Sequence, residues 1–152
     1  MKKVIIVAMM LLVSFGIVFS DSKEQCEKEK EKCMVSDAVK DAVVQVVSLH
    51  FQGLKEHDFT KVSSAWHKNG KMFVGIDMQE VSFFAKIPPF INFEVDSMEV
   101  LSIDNKIAVV KVMWRMIMPE SVGYHNSYIN LSEETGKWLI ISKTDFGEEK
   151  KK

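Results

Sequence analysis

The chain has 152 residues, 47% of them hydrophobic, enough for one domain with its own core. Its 20 Lys and Arg nearly balance its 21 Asp and Glu, for a formal net charge of −1. The basic residues are scattered or gathered at the two ends, so no basic face marks a nucleic-acid binder.

Residues 1–20 have the layout of a secretory signal peptide. Met1-Lys2-Lys3 is a positive start, and Val4 to Val18 is apolar apart from Ser14 and Gly16. Val18-Phe19-Ser20 then offers a cleavage point before Asp21. An uncleaved anchor is the alternative, but a run of about 15–17 apolar residues is short beside the roughly 20 that a span needs. Removing residues 1–20 takes away Lys2 and Lys3, leaving 18 basic against 21 acidic residues and a formal net charge of −3. This places the mature chain outside the cytoplasm, periplasmic or secreted.

Residues 21–34 read as a charged, solvated leader carrying both cysteines, Cys26 and Cys33. Export would expose them to oxidising conditions, which makes them a disulfide candidate. The Glu/Lys repeat between them favours helix, where residues seven apart lie about 10 Å from each other, beyond the roughly 7 Å limit for a bridge. Either the segment is a loop closed by Cys26–Cys33, or each cysteine pairs with another molecule.

Ser36-Asp37 offers a helix start. Val39, Ala42, Val43, Val46, Val47, His50, Phe51 and Leu54 then recur at three- and four-residue steps, predicting a long amphipathic helix. Asp58 caps a second, short helix towards Trp66, and Asn69-Gly70 turns into a first strand over Lys71 to Ile76. Gln79 to Lys86 predicts a third short helix burying Val81, Phe83 and Phe84, ended by Pro88-Pro89. Long strands follow over Asn92 to Ile103 and Lys106 to Met118, joined by a tight turn at Asp104-Asn105. Two more run over Tyr124 to Leu131 and Lys137 to Phe146, before a charged tail at 147–152. Helices gathered on one side of a curved antiparallel sheet make the class α+β.

The stretch Tyr128-Ile-Asn-Leu-Ser-Glu-Glu-Thr-Gly-Lys-Trp-Leu-Ile-Ile-Ser-Lys143, with His50-Phe-Gln-Gly-Leu-Lys-Glu-His-Asp-Phe59 and Trp66-His67-Lys-Asn-Gly-Lys-Met-Phe73, resembles the NTF2-like superfamily. Within it the likeness is to the SnoaL-like branch labelled lumazine-binding, and it covers residues 35–146. The resemblance implies a cone: a curved sheet wrapped around N-terminal helices with an internal pocket. Lumazine itself is not carried over as the ligand.

On the third predicted strand Ala108, Val110, Val112, Trp114, Met116 and Met118 share an apolar face that should meet the helices. In the superfamily that concave face lines the pocket, so Trp114 and Met116 become ligand-binding candidates. Lys111 and Arg115 lie on the opposite face, which suits exposure or a homodimer contact. Tyr124, Asn126, Tyr128 and Asn130 share one face of the next strand, opposite His125, Ser127, Ile129 and Leu131. Pointing inward, the first set would give the pocket hydrogen-bonding handles; pointing outward, which period alone favours, it is a solvated face. Tyr128 remains a candidate polar anchor at the rim.

Trp66, His67 and Phe73 complete the candidate ligand-binding set. His50, on the apolar side of the first helix, is either a buried hydrogen-bonded residue or a pocket contact, while His57 and His125 read as exposed. Ketosteroid isomerases and polyketide cyclases of this fold use a carboxylate aimed into the pocket; in the isomerases it comes from the first strand. Met72-Phe-Val-Gly-Ile76 has none, which counts against an enzyme. His67 and Asp77 are the remaining catalytic candidates, with Asp96 and Asp145 expected to face solvent. No metal-binding spacing, phosphate loop or nucleophile elbow occurs, so no metal or cofactor is expected. The expectation is a non-catalytic binder of a small, mostly apolar or aromatic molecule. An isomerase, dehydratase or cyclase using the same pocket, or a protein-interaction module, is the alternative.

Overall fold

A computed structural model describes residues 36–75 and 77–152, so the signal sequence, the charged leader and the Cys26–Cys33 question lie outside the described residues. Helix α1 (Asp37–Glu56) and short helix α2 (Phe59–Ser64) are followed by strands β1 (Trp66–Val74) and β2 (Asp77–Glu80) and a 3-10 turn (Val81–Lys86). Strands β3 (Asn92–Asp104), β4 (Ile107–Ile117), β5 (Ser121–Glu134) and β6 (Lys137–Lys151) complete the chain. The six strands form one curved, unclosed sheet in the order β2-β1-β6-β5-β4-β3. This is the expected α+β architecture with two refinements. β1 runs parallel to β6, so the sheet is mixed, and β2 was not foreseen.

The amphipathic face read for α1 is the one that packs: Val43, Val47, His50, Phe51 and Leu54 are buried. Val39, Ala42 and Val46 lie against the same core. His57 ends the helix in the left-handed region, φ 53°. Its amide donates to Leu54 O and that of Asp58 to Gly53 O. Asp58 caps α2 as expected, its Oδ1 accepting from Lys61 N at 3.0 Å. Gly53 lets the two helices approach closely. A Cβ there would come within 2.7 Å of the Val62 backbone nitrogen.

Strand ends differ from expectation. β1 starts at Trp66 instead of Lys71 because an irregularity between Trp66 and Lys71 absorbs Asn69-Gly70 into the strand. The predicted helix from Gln79 is a 3-10 turn from Val81. Within it Val81 and Phe84 pack on the core while Phe83 stays 41% exposed. The charged end continues as strand to Lys151, because β5 starts early at Ser121 and pairs with it. The Asp104-Asn105 hairpin forms as expected, with Asn105 at φ 50°. The inward face of β4 is the predicted one, with Ala108, Val110, Val112 and Trp114 all buried.

Gly53→Ala should lower unfolding stability by about 1–3 kcal/mol through overpacking against α2. Urea denaturation checks this; an unchanged midpoint would mean the helices can part without cost.

Candidate functional site

The site is made by one extra residue. Between β5 and β6 the register passes from Leu131↔Ile140 to Asn130↔Ser142, leaving Ile141 unpaired. Before this bulge Trp138 and Ile140 point into the core; after it Lys143 and Asp145 do. The inward rows of the sheet are then Lys143–Ile129–Val110, Asp145–Ser127–Val112 and Gly147–His125–Trp114.

These rows bring a polar cluster inside. Lys143 is 1% and Asp145 5% exposed, and Lys143 Nζ donates to Asp145 Oδ2 at 2.6 Å. The Ser127 hydroxyl donates to Asp145 Oδ1 and accepts from Trp114 Nε1 at 2.6 Å. Both carboxylate oxygens are therefore engaged. The ammonium also lies 4.7 Å from the Trp114 ring centre, 5.7 Å from Phe51 and 5.8 Å from Phe84, within cation–π reach of all three. Burial holds the Lys143 pKa below its ordinary value, with the Asp145 charge and hydrogen bond opposing the shift.

His50 lies above this cluster, fully buried, with Nδ1 accepting from Trp66 Nε1 at 3.1 Å. Nε2 therefore carries the imidazole proton and has no partner among the described residues. Burial, and then the Lys143 charge, hold the His50 pKa well below the usual imidazole value.

His125 is the contact between this interior and solvent. Its ring stacks on Trp114 at 4.2 Å between centres and 12° between planes. Gly123 and Gly147 flank the ring: a Cβ at Gly147 would stand 2.5 Å from Nδ1, and one at Gly123 would stand 2.7 Å from Nε2. Neither ring nitrogen has a partner among the described residues. Burial lowers the His125 pKa, opposed by the nearby Asp145 charge and reinforced by Lys143. Beside it opens a cleft of about 470 Å³ whose walls include Val74, Met116, Met118, His125, Asp145 and Gly147. A second depression, lined by Phe90 and Pro119, shares Met118 and Glu149 with it.

Of the candidates read from sequence, Met116 lines the cleft and Trp114 lies beneath His125. Trp66 is core, bonded to His50. His67 lies apart, 3.5 Å from Glu134 Oε1 and accepting from Asn69 N. Phe73 and Tyr128 fall in one row of the outer face, each paired with Thr144, and Tyr128 meets Phe146 edge to face. Asp77 is exposed at the start of β2. Two expectations are corrected. Asp145 faces inward because of the bulge, and the His125 nitrogens are buried because two glycines make room for the ring. The sequence reading missed Lys143, Ser127, Gly123 and Gly147. Strand glycines, which mark close approach, were the available signal. Among the described residues no group of three or more His, Cys, Asp or Glu could hold a metal, and no helix is long and apolar enough to cross a membrane.

Lys143→Met should cost about 3–5 kcal/mol, because it leaves the Asp145 carboxylate buried without its counter-charge. The double variant with Asp145→Leu should recover much of that in the same denaturation experiment. Equal losses in single and double variants would contradict a coupled pair.

The pH dependence follows from the histidines. The unfolded chain takes up protons near pH 6.5, while folded His50 and His125 resist them. Stability should therefore fall on acidification from about pH 7 to pH 5, by up to roughly 1.4 kcal/mol per pH unit for each fully shifted histidine. Urea midpoints across that range should fall less steeply in His125→Phe; an unchanged slope would show that His125 titrates alike in both states.

Comparison with known proteins returns the fold. No family model and no curated protein matches the chain. Among solved structures, an NTF2-like protein of unknown function from Pseudomonas putida superposes with TM-score 0.64 at 13% identity, covering 74% of this chain and 88% of that one. A protein of unknown function with a cystatin-like fold from Nostoc punctiforme gives TM-score 0.64 at 10% identity, over 75% and 94% of the two chains. A hexachlorocyclohexane dehydrochlorinase, LinA type 2, gives 0.63 at 9% identity, over 76% and 89%. The fold is NTF2-like.

Proposed function

We propose that this protein binds a small, mostly apolar or aromatic molecule in the cleft beside His125, without catalysis, after export to the periplasm or the medium. The observation that carries the reading is the cleft itself. Methionines wall it, and the Lys143, Asp145, Ser127 and Trp114 groups beneath it are already paired with one another, while the His125 nitrogens have no partner among the described residues. A cavity of about 470 Å³ is within the range of small-molecule sites, and methionine walls adapt to irregular apolar shapes. Asp145, with both oxygens engaged, is not a free base, and His67 and Asp77 lie outside the cleft lining. These placements favour binding over the isomerase, dehydratase or cyclase alternative. Export rests on the apolar run from Val4 to Val18 behind Lys2 and Lys3.

The outer face of the sheet supports a second role, homodimer contact. It exposes Tyr124 (42%), Tyr128 (38%), Met113 (44%) and Phe146 (55%) together.

Native mass spectrometry of the protein from its own host tests the reading, with the same sample rerun after denaturation. A small molecule should accompany the folded chain and leave on unfolding. A chain that is empty in its host, and that no apolar or aromatic fragment stabilises against heat, would refute binding.

A further inference from the structure

Resting on the binding reading above, we propose that the cleft selects uncharged ligands carrying a hydrogen-bond donor, a hydroxyl or N–H on a flat apolar body, and that His125 is the group that accepts it. Three observations converge on this class. First, the imidazole carries two nitrogens without partners in a wall otherwise rich in apolar groups. A neutral imidazole offers one donor and one acceptor, and leaving both unpaired in a buried place is costly. Second, the ring is held for a purpose other than filling space. Gly123 and Gly147 both forgo a side chain where a Cβ would touch its nitrogens, and Trp114 fixes its plane by stacking. A half-turn about Cβ–Cγ exchanges each nitrogen with a ring carbon, so the same cradle holds either orientation of the ring without moving the backbone. Third, the charge of the lining is one-sided. Asp145, Glu148 and Glu149 border the cleft and no Lys or Arg does. Lys143 beneath is committed to Asp145, and Lys150 outside to Glu148. Anions are repelled there, while a neutral donor meets a neutral acceptor. Burial holds the imidazole below its ordinary pKa, and the charges of Asp145 and Lys143 act on it in opposite senses, so the ring stays neutral at neutral pH.

Naphthol, methoxynaphthalene and naphthoate test this as probes of one shape: donor, blocked donor and anion. Their binding to the mature protein is followed by calorimetry and by quenching of tryptophan fluorescence. Naphthol should bind at least about tenfold tighter than methoxynaphthalene, the discrimination expected when a buried partner is left unpaired. Naphthoate should bind weakest of the three. His125→Phe, which keeps a flat ring, should hold naphthol and methoxynaphthalene alike. Should that variant not fold, the wild-type ring settles the point: its ¹⁵N imidazole resonances should shift with naphthol and not with methoxynaphthalene. Equal binding of naphthol and its ether, or preference for naphthoate, would overturn the donor assignment while leaving small-molecule binding intact. No binding by any probe, together with an empty chain in its host, would overturn both.

Discussion

The structure turns on the burial of one ammonium group. Lys143 stands on the inward side of β6, 1% exposed, because the bulge at Ile141 reverses which residues of that strand face the core. Taking a charge out of water costs several kcal/mol unless the interior answers it. Here the answer comes from three directions: the Asp145 carboxylate, the faces of Trp114, Phe51 and Phe84, and the uncharged state of His50. These groups come from four parts of the chain, His50 and Phe51 both from α1. The ammonium thus ties α1, the 3-10 turn and strands β4 and β6 into one arrangement.

From that constraint the cleft follows. Asp145 must face inward to meet Lys143; Ser127 on the adjacent β5 donates to it, and Trp114 on β4 donates in turn to Ser127. The next inward row then holds His125, with glycine on β6 beside it and Trp114 on β4. Beyond His125 the row formed by Glu149, Gly123 and Met116 has little bulk at its centre, and the concave face opens there to solvent. A filled, partly polar interior under an open apolar end suits recognition of a ligand more than enclosure of one. The cone of the NTF2-like fold is therefore occupied here largely by the protein's own aromatic and charged groups.

What was legible in the sequence had an unbroken period. The face of α1 and the inward face of β4 are written in apolar residues at constant spacing, and the Asp104-Asn105 turn names its own hairpin. The site was not legible for the opposite reason. Carrying the parity of Trp138 and Ile140 forward puts Phe146 inside and Lys143 and Asp145 outside, which matches ordinary hydrophobicity and is wrong by one residue. Nothing local to Ser-Lys-Thr-Asp announces the extra residue. His125 was misread on residue type, although it shares a face with Ile129 and Leu131. The glycines across and along the strand were the cue that something broad lay over the backbone. Trp66, His67 and Phe73 were expected together as pocket contacts, and the irregular start of β1 sends them to different surroundings: the core, a contact with Glu134, and the outer face.

The most direct test of this account is amine labelling of the native protein with a small acylating reagent, read residue by residue by mass spectrometry. Lys143 should remain unmodified while the exposed Lys106, Lys137 and Lys150 react, and should react only when the chain is unfolded. Labelling of Lys143 in the folded protein at the rate of those surface lysines would mean that β6 keeps its parity. The buried pair, and the cleft built on it, would then not exist.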